Sequence, residues 1–449
     1  MHSMNAAALQ QIREESRWTS RGRPALLHSF SWTLVGNVVY AACQWLIVVL
    51  IAKFGTPAMV GQFALAVAVT GPVFLLTNLA LRSVQVSEVA GRFRFIHYFQ
   101  VRLIGTFIGM LIICGAGLKY EAGTLGIILA VGSAKAIESI SNIAHGFLQQ
   151  RERLDWVARS LIVRGLICVS AVAVALAVTG QVFWAAEAYA VGFLASLLLL
   201  DFRYCQRLRT CNRGGRTPAR EVLSGLRQIV ELPFRAGTLV ELAWHALPLG
   251  IAGMLSSFQT NIPRYTIAQT LGETKLGIFA ALAYLMIPGA TLCNALAESV
   301  AVRLAGEFAS GLHKLFAGRV LKLAAAVLAG GVISAFVAGI FGPYLLTVLY
   351  RPEYASDTNV LVWLMIAGTL FSIGSILGTA LTATRAFHRQ VPLFLITSLV
   401  VFAASALLVP SHGLRGAAWS LCLSGSVQVC GAALLLGHRL QAQNTSWRP

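Results

Sequence analysis

The chain has 449 residues, of which 57% are hydrophobic and only 12% are charged, and its mean hydropathy is +0.72. A soluble protein of this length would carry about a quarter charged residues, so the composition excludes an ordinary soluble domain. The net charge of +18 does not indicate a nucleic-acid partner, because the basic residues are spread over loops between apolar segments. Contact with anionic membrane lipids is the expected consequence of that charge.

Apolar segments long enough to cross a membrane recur along the whole chain, since a spanning helix needs about 20 residues. The hydropathy pattern predicts an all-α integral membrane protein of about twelve transmembrane helices. The predicted spans are 29–52, 59–81, 97–118, 123–148, 158–179, 181–202, 239–262, 276–299, 318–341, 359–383, 391–410 and 413–437.

The distribution of basic residues predicts the orientation. Of the 35 Lys and Arg residues, 27 fall on the side of the N-terminus, six fall on the opposite side, and two lie within spans. Arg102, near the start of the third span, is counted with the 27. Cytoplasmic loops are the basic ones, so both termini are expected in the cytoplasm. The first 25 residues lack the apolar core of a cleavable signal peptide and are interpreted as a cytoplasmic tail.

The chain is internally duplicated. GQFALAVAVTGPVFLLTNLALRSV from Gly61 aligns without gaps with GIFAALAYLMIPGATLCNALAESV from Gly277, which pairs Pro72 with Pro288 and Asn78 with Asn294. The predicted layout is a tail (1–28), a six-helix bundle (29–202), a basic cytoplasmic linker (203–238), a second six-helix bundle (239–437) and a C-terminal tail (438–449). Six helices per half give both halves the same polarity. This predicts a pseudo-twofold axis along the membrane normal and a central cavity between the halves.

Pro72 and Pro288 are the hinge candidates. A proline inside a helix removes a backbone hydrogen bond and kinks the helix, and two matched kinks would suit halves that rock against each other. The alternative is that they are ordinary prolines, which are common in membrane helices.

The fourth span carries a polar stripe, in which Lys135, Glu138, Asn142 and either His145 or Gln149 share one helical face. Charged residues at bilayer depth usually face a bundle interior or a wet cavity. Lys135 is therefore a candidate contact for an anion and Glu138 a candidate proton- or sodium-sensitive partner. The alternative is a structural ion pair between the two. Neither a metal site nor a disulfide framework is indicated by the eight cysteines.

Other polar residues within the spans allow two interpretations each. Arg164 lies about a turn inside the fifth span, where it could face the cavity or extend to the cytoplasmic surface. Arg82 and Glu298 occupy equivalent positions of the repeat and could form an inner gate, or they could be two unrelated interfacial residues. His245 could titrate near neutral pH or be structural.

The segment SSFQTNIPRY (256–265) interrupts the apolar seventh span. Pro263 is expected to break the helix, which is tolerated where backbone lines a cavity. Arg264 is then a candidate phosphate contact, or it marks the helix end. The remaining cavity candidates are polar side chains within spans: Asn78, Gln259, Asn261 and Asn294.

With these residues in view, the chain resembles the polysaccharide-flippase branch of the multidrug/oligosaccharidyl-lipid/polysaccharide exporter superfamily. The resemblance extends over nearly the whole chain. It rests on SWTLVGN (31–37), GQFALA (61–66), LPLGIAGMLSSFQTNIPRY (247–265), LGETKLGIFAALAY (271–284), YRPEYA (350–355) and GLRGAAWS (413–420).

That resemblance implies a transporter, not an enzyme, which moves undecaprenyl-diphosphate-linked oligosaccharide to the outer leaflet of the bacterial inner membrane by alternating access. It further implies a functional monomer without a cofactor, a polysaccharide polymerase and a chain-length regulator as partners, and coupling to a proton or sodium gradient. The candidates for coupling are Glu138, Glu187 and His245. O-antigen, capsule and exopolysaccharide all remain open as products.

Two rival functions remain. A multidrug exporter of the same superfamily would favour an acidic cavity for its cationic cargo, whereas the charges within these spans are mostly basic. A membrane glycan polymerase or ligase would need a substantial outward loop with catalytic residues. The longest predicted outward segment, 342–358, has only Arg351, Glu353 and Asp357 as charged groups.

Overall fold

The structure, a computed structural model, describes residues 32–87, 93–211, 236–384 and 390–446. The predicted N-terminal tail, most of the predicted linker and residues 447–449 therefore lie outside the described residues. The described chain is built from helices that we number by membrane span. They are α1 (Trp32–Phe54), α2 (Pro57–Val86), α3 (Phe95–Gly117), α4 (Ala122–Gln150), α5 (Leu154–Thr179), α6 (Val182–Arg207), α7 (Ala236–Thr270), α8 (Gly272–Ala309), α9 (His313–Leu349), α10 (Pro352–Ala383), α11 (390–412) and α12 (414–446).

The prediction of an all-α membrane protein with about twelve spans is confirmed. Eleven continuous stretches among the described residues are long and apolar enough to cross a membrane. The last of these, Gln390–Gln441, is divided at Gly413, whose φ of 60° and ψ of −135° are not helical. Only glycine adopts such a backbone conformation readily. The division yields α11 and α12, and with them the twelfth span.

Several helices are longer than their apolar cores predict. α7 contains 35 residues and α9 contains 37, which correspond to about 52 and 55 Å at 1.5 Å per residue. Both exceed a hydrocarbon core of ~30 Å. The predicted break at Pro263 is wrong, because α7 continues through both Pro248 and Pro263 to Thr270. A proline removes one hydrogen bond, and here the packing of α7 against α2 and α11–α12 holds the helix together.

Three other helices are irregular, and in α8 the irregularity directly precedes Pro288, where a kink was predicted. α2 stops at Thr77 and resumes at Leu81, and Leu79 and Ala80 between them have left-handed φ values of 52° and 47°. α8 is interrupted between Tyr284 and Ile287. α6 contains a π-helical turn, Leu197–Asp201, a local widening that is frequent at functional positions.

The helices form two lobes, α1–α6 and α7–α12, which meet through α2, α7 and α8. The first half of α8, Gly272–Tyr284, packs closely on α2, and α7 also packs on α2. We call the end of the bundle that carries the α1–α2 and α7–α8 connections the closed end. The largest buried core joins both lobes at this end and includes Ile51, Phe63 and Phe279.

The opposite end, where α6 ends and α7 begins, is more open. The second half of α8 exposes Pro288, Asn294 and Glu298. A separate core within the second lobe, centred on Leu304 and Phe316, lies at this end. The structure therefore has two lobes that are joined at one end and partly separated at the other.

Candidate functional site

The first component of the site is the charged pair on α4. Lys135 Nζ lies 2.8 Å from Glu138 Oε2, one helical turn away. Tyr40 of α1 donates a hydrogen bond of 3.2 Å to the other oxygen of the same carboxylate, Oε1. The side chains of Lys135 and Glu138 remain 27% and 20% exposed, so the pair borders open space. The structure thus contains the ion pair that the sequence offered as one interpretation. Lys135 still has ammonium protons available to donate to a ligand.

The second component comes from the other lobe. Arg264 of α7 donates a hydrogen bond of 3.2 Å to Asn261 Oδ1, and its guanidinium carbon lies 5.9 Å from the centroid of the Tyr284 ring on α8. Its Nε is buried and has no hydrogen-bond partner among the described residues. No carboxylate of the described chain lies within ion-pair distance of Arg264. A guanidinium in that condition is suited to an anionic ligand.

Tyr284 brings the two components together. It lies under the guanidinium of Arg264, and Lys135 is among the charged groups in its vicinity. We call Lys135, Glu138, Arg264 and Tyr284 the cavity-apex site. Its formal charge is +1, since the charge of Lys135 is balanced by Glu138 and that of Arg264 is not. The site can hold a singly or doubly charged oxyanion between the lobes.

Above this site the closed end is held by contacts between the lobes. Glu273 at the start of α8 accepts hydrogen bonds from Gln62 Nε2 at 2.8 Å and from Thr124 Oγ1 at 2.9 Å. Tyr350 accepts a 3.0 Å hydrogen bond from Trp45 Nε1 and donates one of 2.9 Å to the carbonyl of Ala281. These contacts place the cavity-apex site immediately below a closed barrier.

Arg164 was expected either to face the cavity or to extend to the cytoplasmic surface, and in the structure it does neither. Its side chain is 1% exposed, and Nη2 forms an ion pair of 2.8 Å with Asp201 Oδ2. The other oxygen of Asp201 lies 2.5 Å from Ser160 Oγ and 3.1 Å from His145 Nε2. Ser141 also donates to Asp201, and Arg164 Nε donates to Ser196 at 2.9 Å. This set, the buried Asp201 cluster, joins α4, α5 and α6.

The π-helical turn explains how Asp201 reaches the interior. Asp201, the last residue of LLLLD (197–201), was not singled out in the sequence analysis. The extra residue per turn rotates the following side chain relative to an α-helix, and Asp201 is the last residue of the turn. Burying an isolated charge is costly. A buried Arg164 therefore requires a carboxylate on a neighbouring span, and this requirement could have pointed to Asp201.

A second buried arginine has no acid partner within the described part of the chain. Arg102 on α3 is 1% exposed, which corrects its assignment to a cytoplasmic segment. It donates a 3.3 Å hydrogen bond to Ser139 Oγ, and Ser139 donates one of 2.5 Å to Asn78 Oδ1. No carboxylate of the described residues pairs with it. Asn78 thus lies at the α2 interruption and faces α3 and α4 instead of the cavity.

The remaining polar candidates are dispersed. Gln259 is 2% exposed and contacts Thr397 within the second lobe, so it does not line the cavity. Asn261 supports Arg264 and hydrogen-bonds to Ser257. Asn294 is exposed and accepts a 2.8 Å hydrogen bond from Ser375. Among the coupling candidates, Glu187 is half-buried on α6, and His245 is exposed with Nδ1 2.8 Å from the Glu241 carbonyl.

The gate and hinge candidates are arranged as follows. Arg82 makes two hydrogen bonds to Gln149 Oε1, at 3.2 and 3.0 Å, and within the described chain it forms no ion pair with Glu298, which is exposed. Pro72 is buried within α2, and Pro288 begins the second half of α8. Their roles in gating and bending remain predictions. Over the described ranges, no group of three or more His, Cys, Asp or Glu residues is placed to hold a metal ion.

Comparison with known proteins identifies the fold. No family model matches the chain. It is 24% identical over 400 residues to the capsular polysaccharide biosynthesis protein CapF of Staphylococcus aureus, which covers 89% of this chain and 96% of the relative.

Solved structures similar to this chain include transporters of the MOP superfamily, the superfamily named above. An inward-facing multidrug resistance MATE family transporter matches with a TM-score of 0.70 at 12% identity, over 93% of this chain and 96% of that one. The outward-facing conformation of such a transporter matches with a TM-score of 0.63 at 13% identity, over 94% and 96%. A MOP superfamily transporter from Pyrococcus furiosus, described as having a binding pocket of reverse polarity, matches with a TM-score of 0.64 at 14% identity, over 93% and 96%. The predicted all-α, two-lobed fold is confirmed by these structural similarities.

Proposed function

We propose that this protein is a flippase that moves a polyprenyl-diphosphate-linked oligosaccharide across the bacterial inner membrane, from the cytoplasmic to the outer leaflet. The observation that carries the proposal is Arg264, whose Nε is buried without a hydrogen-bond partner among the described residues and whose guanidinium lies over Tyr284, with the Lys135–Glu138 pair contributed by the other lobe. The similarity to a capsular polysaccharide biosynthesis protein supports a glycan as cargo. Undecaprenyl diphosphate is the proposed lipid, and capsule, O-antigen and exopolysaccharide units are the proposed glycans.

The chemistry of such a cargo explains why a site of this kind is needed. Diphosphate and sugar hydroxyls cannot enter hydrocarbon unaided, because every buried charge or unpaired polar group carries a large transfer cost. Arg264, which has no acid partner in the described chain, can form charge-assisted hydrogen bonds to phosphate oxygens. Lys135 can add an ammonium, and Glu138 limits the excess positive charge so that the cargo can also be released.

The arrangement of the lobes supports alternating access. The cavity-apex site lies below a closed barrier, and the other end of the bundle is partly open. With both termini in the cytoplasm, as the basic loops predict, this state receives cargo from the cytoplasmic side. Separation of the closed end, with approach of Arg82 and Glu298 at the other end, would then release it outward. Coupling to a proton or sodium gradient through Glu138, Glu187 or His245 belongs to the proposal.

The test uses purified protein in liposomes that contain a labelled undecaprenyl-diphosphate oligosaccharide. Transfer between leaflets is followed with an impermeant glycan-modifying reagent, in the presence and absence of proton and sodium gradients. We expect protein-dependent transfer that a suitable gradient accelerates. Absence of transfer for a range of glycans, together with efflux of organic cations by the same liposomes, would replace the proposal with a multidrug exporter. Elongation of the glycan by the protein would instead identify a polymerase.

A further inference from the structure

A groove lies in the second lobe, between α8 and α9, with α10 as its floor. Its volume is about 330 Å³, and on α8 it extends from Leu285 to Leu296, a length of ~16 Å at the rise of an α-helix. Leu292 and Leu296 at its rim are 56% and 42% exposed. The groove is therefore an open, elongated depression on the membrane-embedded part of the lobe, and we call it the α8–α9 groove.

The wall of the groove is apolar and made largely of small residues, including Gly289, Ala290 and Gly330. Three hydroxyl groups lie on it, and two of them are engaged within their own helices. Ser334 donates to the carbonyl of Gly331 and Thr369 donates to that of Met365, both at 2.8 Å. A polar ligand would gain little here, whereas a hydrocarbon chain would be stabilised by burial of its surface.

The internal repeat shows that this space is specific to the second lobe. Gly289, Ala290 and Cys293 of α8 correspond to Val73, Phe74 and Thr77 of α2. In the first lobe, Phe74 is 3% exposed and packs against α3, where its ring edge would lie 3.5 Å from a Cβ placed on Gly109. In the first lobe, Phe74 therefore fills this space. In the second lobe, Gly289 and Ala290 leave the equivalent space open.

The groove begins where the cavity-apex site ends. Leu285 and Met286, which line its first part, directly follow Tyr284, over which Arg264 lies. A molecule with an anionic head at Arg264 and Lys135 can thus continue into the groove with an apolar chain. Both parts of such a molecule would then contact α8, the head at Tyr284 and the chain directly after it.

We propose that the α8–α9 groove binds the isoprenoid chain of the cargo while the diphosphate lies at the cavity-apex site. This inference rests on the proposed function. It means that the chain is held by the protein during transport instead of staying in the bulk bilayer, so that the protein selects long isoprenoid lipids by their chain as well as by their head.

The test copies the residues of the first lobe into the second in the variant Gly289→Val/Ala290→Phe. No side chain or neighbouring backbone lies within 4 Å of a Cβ placed on Gly289, so folding should be retained. The control is Gly115→Val on α3, where the surroundings are equally open. The dissociation constants of undecaprenyl diphosphate and of methyl diphosphate, which has the head group but no long chain, are measured for each protein in nanodiscs.

We expect the double variant to bind undecaprenyl diphosphate about tenfold more weakly, because several methylene groups lose their burial, and to bind methyl diphosphate as the wild type does. An undecaprenyl diphosphate carrying a photoreactive group in its chain should label peptides 285–296 and 326–334 of the wild type. Unchanged binding of the long chain by the double variant would overturn the inference. So would equal labelling by a photoreactive phospholipid that excess undecaprenyl diphosphate does not displace.

The two proposals fail in distinguishable ways. If the wild type transfers the lipid-linked glycan between leaflets but the groove variant binds and transfers it normally, only the groove inference is wrong. If the wild type binds neither diphosphate and transfers nothing, the proposed function is wrong and the groove inference with it.

Discussion

Gly61 and Gly277 lie against each other's helices in a reciprocal contact. A Cβ placed on Gly61 would lie 1.9 Å from the carbonyl oxygen of Glu273, and one placed on Gly277 would lie 1.7 Å from that of Pro57. Each glycine thus contacts the residue four positions before the other. A pair of contacts in which each partner uses the same position is the signature of twofold symmetry. The two glycines that align in the sequence repeat therefore mark the pseudo-twofold axis in space, at the closed end.

This contact predicts that a side chain at either glycine prevents closure. Gly61→Leu should shift the protein toward a state open at the closed end, because the leucine would overlap backbone that cannot move away independently. Overpacking of this kind costs ~1–3 kcal/mol, so leaflet transfer should fall by about tenfold. Alkylation by an impermeant maleimide of a cysteine introduced at Leu276, which is 0% exposed, should rise. Gly115→Leu, at an open position, is the control, and equal transfer by both variants would contradict the role of the contact.

Glu273 should stabilise the closed end through its two hydrogen bonds from the other lobe. Glu273→Ala leaves Gln62 and Thr124 without their acceptor, and hydrogen bonds to charged groups contribute ~1.5–3 kcal/mol each. We expect faster alkylation of the Leu276→Cys reporter and a smaller effect from Thr124→Val. The neighbouring exposed pair, Lys275 and Asp357 at 3.7 Å, provides the control, since surface ion pairs contribute ~0–1 kcal/mol. An effect of Lys275→Ala as large as that of Glu273→Ala would argue against this assignment.

The buried Asp201 cluster should be structural. Arg164→Met leaves the carboxylate of Asp201 buried without its cation, which typically costs ~3–5 kcal/mol. The thermal unfolding temperature of the purified protein should therefore fall clearly, and the double variant Arg164→Met/Asp201→Leu should lose less than the sum of the single variants. Arg153→Ala, in an exposed pair, should change little. A stable Arg164→Met protein with impaired transport would instead favour the cavity role that the sequence allowed.

The sequence predicts the architecture well because membrane spans and internal repeats can be recognised from local residue patterns. Hydropathy locates twelve spans, and the match of Gly61 with Gly277 anticipates two related lobes. The charges of Lys135 and Glu138, one turn apart on one helix, likewise predict their pairing, since i and i+3 residues on a helix are neighbours.

Contacts between helices that are distant in the sequence could not be predicted from these local patterns. The engagement of Arg164 with Asp201 depends on a π-helical turn in α6, and that of Glu273 with Gln62 depends on how the lobes meet. Gln259 illustrates the same limit, because its polarity suggests a cavity while its rotation about α7 places it against Thr397. Pro263 was expected to break α7, yet tertiary packing overrides the local preference.

The most direct test of the central claim is the dependence of leaflet transfer on the cavity-apex site. Arg264→Gln removes the guanidinium, and Lys135→Gln/Glu138→Gln removes the α4 pair together so that no buried carboxylate is left unpaired. Each should be produced as folded protein. Loss of charge-assisted hydrogen bonds worth ~1.5–3 kcal/mol predicts that each transfers labelled undecaprenyl-diphosphate oligosaccharide at least tenfold more slowly than the wild type, while Gly115→Val transfers normally. A triple variant that lacks all three charges and still transfers at the wild-type rate would contradict the claim.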